Sequence, residues 1–194
     1  MDLGLSGKTV FVAGASRGIG LAISKSFLSE GSNVVITGRS AEDLETAHSK
    51  LAEEFDENNI LAINSDMSDP DQISQAISDT EKRFKSLHSV IANIGSGSSI
   101  MGFDIAAEEW ERMFNVNFIS SVLLAREVLP RLIKNKSGSF IFISSIAGLE
   151  FLPAPVTYAA AKAALTPVVK SFARDVGGSN VCVNAVAPGN ILFQ

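Results

Sequence analysis

Six short apolar runs, separated by longer amphipathic stretches, constrain the fold more than any other feature of the sequence. None of these runs contains a charged residue, which is typical of strands buried on both faces of a parallel sheet. Parallel neighbours need crossover helices, and right-handed crossovers lead to a doubly wound α/β sheet. The predicted strands are Thr9–Ala13, Asn33–Thr37, Ile60–Asn64, Ser89–Ala92, Ser139–Ile143 and Asn180–Val186.

Helical patterns fill the segments between the strands. We expect Ser68 or Asp69 to cap the third helix, with Pro70 at its first position. We expect Pro130 to kink or end the long fourth helix and Pro167 to kink the last one, because an internal proline removes a helical hydrogen bond. The predicted helices are Ile19–Leu28, Ala41–Phe55, one that begins at Pro70, Ala107–Ile133 and Tyr158–Val176.

Composition excludes several classes of protein. The 16 basic and 21 acidic residues give a net charge of −5, which argues against a nucleic-acid-binding surface. Charged residues interrupt the N-terminus before a signal peptide could form, and no stretch reaches the ~18 apolar residues of a membrane span. We therefore expect one domain over residues 1–194, in the cytoplasm, with neither nucleic acid nor membrane as a partner.

The single cysteine, Cys182, excludes an internal disulfide. It lies between Val181 and Val183 in the last apolar run. Free cysteine is among the most buried residue types, so we expect Cys182 to fill the core. A catalytic thiol is the alternative.

A glycine-rich turn follows the first predicted strand and has the spacing G-x-x-x-G-x-G. Glycine permits a tight turn, close approach of a pyrophosphate to the backbone, and close packing of helix on sheet. The free N–H groups of the helix that follows would face the phosphates. A turn without any ligand is the alternative. The candidate cofactor-binding residues of this turn are Gly14, Ser16, Arg17, Gly18, Ile19 and Gly20.

Two arginines indicate which dinucleotide would bind. Arg17 lies in the glycine turn, and Arg39 follows the second strand, where NAD-binding proteins usually carry an acid for the ribose hydroxyls. Guanidinium groups bind phosphate with a bidentate fork. The sequence thus favours NADP(H), with its 2′-phosphate, over NAD(H). Two solvated surface arginines are the alternative.

Tyr158 and Lys162 form the candidate proton-transfer pair. They are four residues apart in a predicted helix, so their side chains share one face. A tyrosine in water has a pKa of about 10, so a tyrosine that works near neutral pH needs a cation nearby. Ser144 and Ser145 end the preceding strand, at the edge where doubly wound sheets bind ligands. A solvated lysine one turn from a structural tyrosine is the alternative.

In this order the motifs resemble the short-chain dehydrogenase/reductase family over nearly the whole chain, and most closely its carbonyl and 3-oxoacyl reductase branch. The resemblance implies a Rossmann fold, an NADP-dependent enzyme and hydride transfer between the cofactor and a carbonyl or secondary alcohol. The motifs that carry it are Gly14 to Gly20, Asp66-Met67, Asn93-Ile94-Gly95, Asn117, Ser144-Ser145, Tyr158 with Lys162, and Pro188-Gly189.

The resemblance also implies catalytic roles. Tyr158 would be the general acid/base, and Lys162 would assist it and hold the nicotinamide ribose. Ser145, rather than Ser144, would orient the substrate oxygen. Asn117 would hold a water that relays protons to Lys162.

Further cofactor contacts follow from the same resemblance. Asp66 would accept from the adenine amino group, and Asn93 would line the cofactor channel. The loop after Pro188-Gly189 would cover the nicotinamide, with Ile191 on its carboxamide. Met67 and Gly95 complete the expected set.

The chain departs from the family at three points. The usual Asn-Asn-Ala-Gly segment reads Ala92-Asn93-Ile94-Gly95, with the second Asn kept. Phe193 replaces a threonine that often contacts pyrophosphate, and the chain ends before the usual substrate-covering segment and seventh strand. A cofactor-binding protein without turnover is therefore an alternative to the reductase, and an epimerase or dehydratase a more distant one. The family implies a small carbonyl or alcohol substrate and a homodimer or homotetramer through the two long helices.

Overall fold

The structure is a computed structural model that describes residues 1–191, so the substitution noted at Phe193 lies outside the described residues. Its centre is a six-stranded parallel sheet in the order β3-β2-β1-β4-β5-β6. The strands are β1 (Thr9–Ala13), β2 (Asn33–Gly38), β3 (Ile60–Asn64), β4 (Ser89–Ala92), β5 (Gly138–Ile143) and β6 (Val181–Val186). The predicted doubly wound sheet is confirmed.

Seven α-helices lie within residues 1–191, on the two faces of the sheet. They are α1 (Gly18–Ser29), α2 (Ala41–Ala52), α3 (Pro70–Phe84), α4 (Ala107–Phe114), α5 (Ser120–Asn135), α6 (Val156–Ala163) and α7 (Leu165–Val176). Side chains alternate across each strand, so Val10 and Val12 pack with α1 and α2, whereas Phe11 packs with α3, α5 and α7. Both faces of the central strands are covered, which explains why those strands carry no charge.

The order of the strands reverses beside β1. The chain first moves outward through β2 and β3, then returns to place β4 on the other side of β1. Helices that leave β1 and β4 must therefore diverge to opposite faces, which opens a crevice at the carboxyl ends of these two strands.

The long helix predicted over residues 107–133 is interrupted by a π turn at Asn115–Ile119. Pro130 does not end the helix: it lies inside α5, which continues to Asn135. Leu129 and Leu132 on either side of the proline are buried in the core, and this packing outweighs the lost hydrogen bond. As predicted, Asp69 caps α3 and Pro70 is its first residue.

The last predicted helix is also two helices, which meet at Ala164, and the first of them begins at Val156 rather than Tyr158. Pro167 is the third residue of α7. In the first turn a backbone N–H has no helical partner, so proline is tolerated there. The interruption at Ala164 lies within one turn before Pro167, where a proline disrupts a helix, and this agrees with the predicted kink.

The prediction that Cys182 fills the core is wrong, because the side chain is exposed. Strand β6 is an edge strand, and its buried residues Val181 and Val183 face α7. A strand directs neighbouring residues to opposite faces, so two buried neighbours place Cys182 on the other face. Nothing within residues 1–191 covers that face of Cys182.

No helix within residues 1–191 is long and apolar enough to cross a membrane.

His88 directly precedes β4 and joins it to the beginnings of β1 and β5. Its Nδ1 accepts a hydrogen bond from the backbone N–H of Thr9 at 2.9 Å. Its backbone N–H donates to the Thr9 carbonyl at 3.0 Å, and its carbonyl accepts from Ser139 N–H at 2.9 Å. Burial, and secondarily the charge of Lys8, lowers the pKa of His88 below its usual 6.5.

Acidification should therefore destabilise the fold through His88. Below pH 6.5 His88 is protonated in the unfolded chain but still neutral in the folded chain. The free energy of unfolding therefore falls with pH until His88 is protonated in the folded chain as well. His88→Gln should lose about 1 kcal/mol at pH 7.5 with its hydrogen bond and lose less than wild type between pH 7.5 and 5.5. Urea unfolding at both pH values measures this. His48→Gln, at the other histidine, should keep the wild-type pH dependence; equal slopes for all three proteins would contradict the assignment.

Candidate active site

A cavity of about 450 Å³ lies at the carboxyl ends of the strands, where the strand order reverses. Its volume is typical of a small-molecule site. Most of the residues singled out from the sequence line it. They are Gly14, Ser16, Arg17, Gly18, Ile19, Arg39, Asp66, Met67, Asn93, Gly95, Ser145, Tyr158, Lys162, Pro188 and Gly189.

Three of the predicted residues do not line the cavity. Gly20 is buried beneath the glycine turn. Asn117 is fully buried in the π turn, behind the loop that follows β4. Ile191 is about half exposed, at 48%.

The glycine turn packs directly against the end of β4. A Cβ on Gly14 would lie 2.3 Å from the Asn93 carbonyl oxygen, and one on Gly20 would lie 2.3 Å from the Gly14 carbonyl oxygen. Gly14 also has a φ of +69°, which side chains with a Cβ rarely adopt. The Asn93 side-chain amide donates to the Gly14 carbonyl at 2.7 Å. Glycine at both positions is therefore required for β1, α1 and β4 to meet.

The N-terminus of α1 opens onto the cavity with positive polarity. The helix begins at Gly18, the preceding Arg17 makes no side-chain capping bond, and the first turn contains no acidic residue. Its first N–H groups and the helix dipole form an anion site of the kind that binds phosphates. The exposed side chains of Arg17 and Arg39 add two positive charges to the cavity wall.

Asp66 lines the cavity and also accepts two hydrogen bonds from Ser68. Its Oδ1 accepts from the backbone N–H of Ser68 at 2.9 Å and from the Ser68 hydroxyl at 2.8 Å. This is an Asx turn, which fixes the loop between β3 and α3. The next residue, Met67, is buried in the core and contributes to the same wall.

The Lys162 amine is buried at the boundary between two strands. The residue is 3% exposed, and Nζ donates to the carbonyl oxygens of Ile94 at 3.1 Å and Ile143 at 2.8 Å. Within the described part of the chain it makes no salt bridge. Burial without a counter-charge lowers its pKa to about 8. The amine is therefore mostly charged at neutral pH but close to its titration.

The two serines after β5 have different surroundings. The Ser144 hydroxyl is buried and donates to the Lys162 carbonyl at 3.1 Å. The Ser145 hydroxyl oxygen accepts from Ala147 N–H at 3.2 Å, where it caps a short 3-10 turn. Since this bond uses only an acceptor site, the hydroxyl hydrogen of Ser145 is still available to a ligand in the cavity.

The Asn117 side chain holds the loop after β4. Its Oδ1 accepts from Ser96 N–H at 2.9 Å, and its Nδ2 donates to the carbonyls of Ser96 at 3.0 Å and Met113 at 3.1 Å. A Cβ on Gly95 would lie 2.6 Å from Asn117 Oδ1 and 3.1 Å from Lys162 Nζ. Gly95 therefore lies between the two side chains and packs against both Asn117 and Lys162.

Further residues line the cavity that the sequence analysis did not single out. Thr37 is the next-to-last residue of β2 and Ser65 follows β3, so the rule that ligands bind at strand carboxyl ends could have found both. Val116 and Ser120 lie in or directly after the π turn, and no pattern in the sequence predicts that turn.

Comparison with known proteins agrees with this arrangement. A family model described as short chain dehydrogenase matches residues 8–193. The chain is 34% identical over 187 residues to the 3-oxoacyl-acyl-carrier-protein reductase of Chlamydia trachomatis serovar D, which covers 96% of this chain and 75% of the relative.

Solved structures are similar at the level of the whole sheet. A short-chain dehydrogenase/reductase of unknown function from Caenorhabditis elegans, solved with cofactor, superposes with a TM-score of 0.90 at 31% identity, covering 95% of this chain and 70% of that one. The protein ElxO with NADP bound gives a TM-score of 0.89 at 28% identity, covering 95% and 74%.

Substitution of Gly95 should disturb the buried amine. In Gly95→Ala the new methyl group must displace Asn117 or Lys162, and both side chains are buried and hydrogen-bonded, so we expect a loss of about 1–3 kcal/mol. Gly97→Ala is the matched control, because a Cβ there meets nothing within 4 Å and should change stability by less than about 0.5 kcal/mol. Urea unfolding of the two variants tests this, and equal stability would contradict the described packing.

Proposed function

The chain belongs to the short-chain dehydrogenase family, and we propose that it moves hydride between NADP(H) and the carbonyl or secondary alcohol group of a small substrate. The observation that carries this proposal is the buried Lys162 amine, one helical turn from Tyr158, in a cavity that also exposes Ser145. We propose that residues 1–194 act as one nucleotide-binding domain and that copies associate through α4–α5 and α6–α7.

The residues around the cavity fit a dinucleotide. Glycines at positions 14 and 20 leave no room for a Cβ, and the uncapped N-terminus of α1 offers N–H groups to a pyrophosphate. Asp66, Met67 and Asn93 would line the adenosine and ribose portions, and Lys162 would hold the nicotinamide ribose. Gly95, Pro188, Gly189 and Ile191 complete the proposed contacts. When bound, the nicotinamide supplies or accepts the hydride.

Tyr158 would give its proton to the carbonyl oxygen during reduction and take it back during oxidation. The phenolate that remains is anionic, and the Lys162 ammonium, which makes no salt bridge within residues 1–191, would stabilise it. Ser145 would donate its hydroxyl hydrogen to the same carbonyl oxygen and polarise it. Asn117 would hold the loop behind Lys162 and the water that returns protons to the amine.

Preference for NADP(H) is supported by the charges at the end of β2. Thr37 and Gly38 end the strand without a carboxylate, and Arg39 follows them on the cavity wall. A carboxylate there would favour the ribose hydroxyls of NAD(H), whereas guanidinium groups favour a 2′-phosphate. Arg17 approaches the same end of the cavity from the glycine turn.

The first test is a fluorescence titration with NADPH and NADH, followed by addition of a panel of ketones. Binding of NADPH with consumption supports the reductase. Binding without consumption of any ketone supports a cofactor-binding protein without turnover, and absence of binding by both nucleotides overturns the cofactor assignment.

Tyr158→Phe should abolish turnover without affecting the cofactor. Loss of a general acid costs about 10²–10⁴-fold in kcat. The dissociation constant of NADPH should stay within about twofold, because the aromatic ring is retained and only the hydroxyl is removed. Steady-state kinetics and the same fluorescence titration measure the two quantities. A variant that kept more than a tenth of the wild-type kcat would exclude Tyr158 as the proton donor.

Arg39→Ala should weaken NADPH binding and leave NADH binding unchanged. A hydrogen bond between charged groups contributes about 1.5–3 kcal/mol, or roughly 10–100-fold in affinity. Arg126→Ala is the matched control, since Arg126 is exposed on α5 outside the cavity. Equal losses for NADPH and NADH would show that Arg39 does not recognise the 2′-phosphate.

A further inference from the structure

Three residues of the loop after β4 are hydrogen-bonded to α4 or to the π turn that follows it. Ser96 bonds to Asn117 through both its N–H and its carbonyl. The Ser98 carbonyl accepts from Arg112 Nη2 at 2.8 Å, and the Ser99 hydroxyl bonds to Glu109 Oε1 at 2.6 Å. Ser96 and Gly97 form part of the cavity wall, so these bonds fix one wall of the site.

The Ser99 hydroxyl continues the connection to the helix that carries Tyr158. Ser99 Oγ and Thr157 Oγ1 are 2.9 Å apart. A carboxylate can only accept, so Ser99 donates to Glu109 and must accept from Thr157. The result is a directed chain from Thr157 through Ser99 to Glu109. Thr157 is fully buried and is the residue directly before Tyr158.

Glu109 is itself held in place by Arg112. Arg112 Nε lies 2.7 Å from Oε2 and Nη2 lies 2.8 Å from Oε1, a bidentate pair. Only 17% of the Glu109 side chain is exposed. Hydrogen bonds from Arg112 and then Ser99 lower the pKa of Glu109 to about 2. The carboxylate therefore stays ionised at every pH at which the protein would work.

We propose that Ser99 and Thr157 are positioning residues of the active site, which are anchored on Glu109 and hold the loop of residues 95–103 against the start of α6. This step rests on the proposed function, because it assigns the chain of bonds to the proton donor of that reaction. The chain of bonds aligns the cavity wall with Tyr158, and neither Glu109 nor Ser99 touches the reacting atoms.

The location of these residues indicates that they position the active-site loop rather than stabilise the fold. Ser99 and Glu109 are only partly buried, and their bonds tie the loop to α4 and α6 rather than to the sheet. The loop and α6 both contribute residues to the cavity wall, and the segment beyond Ser99 leaves Ile100, Met101 and Phe103 exposed. Loss of the bonds should therefore free the loop before it affects the core.

Hydrogen exchange of the full chain without cofactor tests the proposal directly. Thr157→Val keeps the shape and removes the hydroxyl, and Ser99→Ala removes its partner. Loss of about one hydrogen bond should speed exchange of the Ser96 and Ser98 amides about tenfold, with no change in β3. Thr157→Ser, which keeps the hydroxyl, should exchange like wild type. Unchanged loop exchange, or faster exchange throughout the chain, would overturn the proposal.

Kinetics of the same variants separates the two proposals. For a ketone that the wild type reduces, kcat/KM should fall about tenfold in Thr157→Val and in Ser99→Ala, with NADPH affinity within twofold and with recovery in Thr157→Ser. The double variant should be no worse than Ser99→Ala alone, because Ser99→Ala already removes the bond that Thr157→Val removes. Additive losses would overturn the positioning role. If the wild type reduced no ketone, the proposed function would be refuted. The exchange experiment would still show whether these bonds hold the loop of residues 95–103.

Discussion

The contact between the glycine turn and the end of β4 is the constraint on which the other features of this structure depend. The reversal of strand order brings β1 and β4 side by side, but the crevice exists only because Gly14 and Gly20 let the backbone of one connection lie against that of the other. The Asn93 side chain, which donates to the Gly14 carbonyl, compensates a backbone acceptor that this close packing would otherwise isolate from water. The N-terminus of α1 and the carboxyl ends of the strands therefore line the same cavity.

The sheet stabilises the buried ammonium of Lys162 through backbone carbonyls. Desolvation acts against the ammonium and lowers its pKa to about 8, yet its two acceptors are backbone carbonyls at the ends of adjacent strands, Ile94 after β4 and Ile143 in β5. The lysine therefore depends on the sheet rather than on a neighbouring carboxylate. The two carbonyls accept hydrogen bonds from the ammonium without neutralising its positive charge. That charge can therefore stabilise an anion in the cavity.

Much of this structure could be predicted from local pattern. Uncharged apolar runs gave strand bounds within one residue, and the motifs indicated most of the cavity wall. Cys182 was misplaced because the composition of its neighbours was considered rather than the period of two, which decides the face in an edge strand. The π turn was missed because apolar spacing continues through it. Glu109, Ser99 and Thr157 were missed because they are ordinary residues far apart in the chain, and only the folded structure brings them together.

The π turn has a further consequence for the register between the two helices that it joins. An α-helix turns through about 100° per residue, so one surplus residue in a continuous helix would rotate everything after it by more than a quarter of a turn. Here the surplus is absorbed within Asn115–Ile119, and both Met113 before it and Leu124 after it remain buried. The π turn therefore keeps a buried residue on each side of it, and the residue that it turns inward is Asn117. The wider turn thus gives the loop of residues 95–103 its buried anchor.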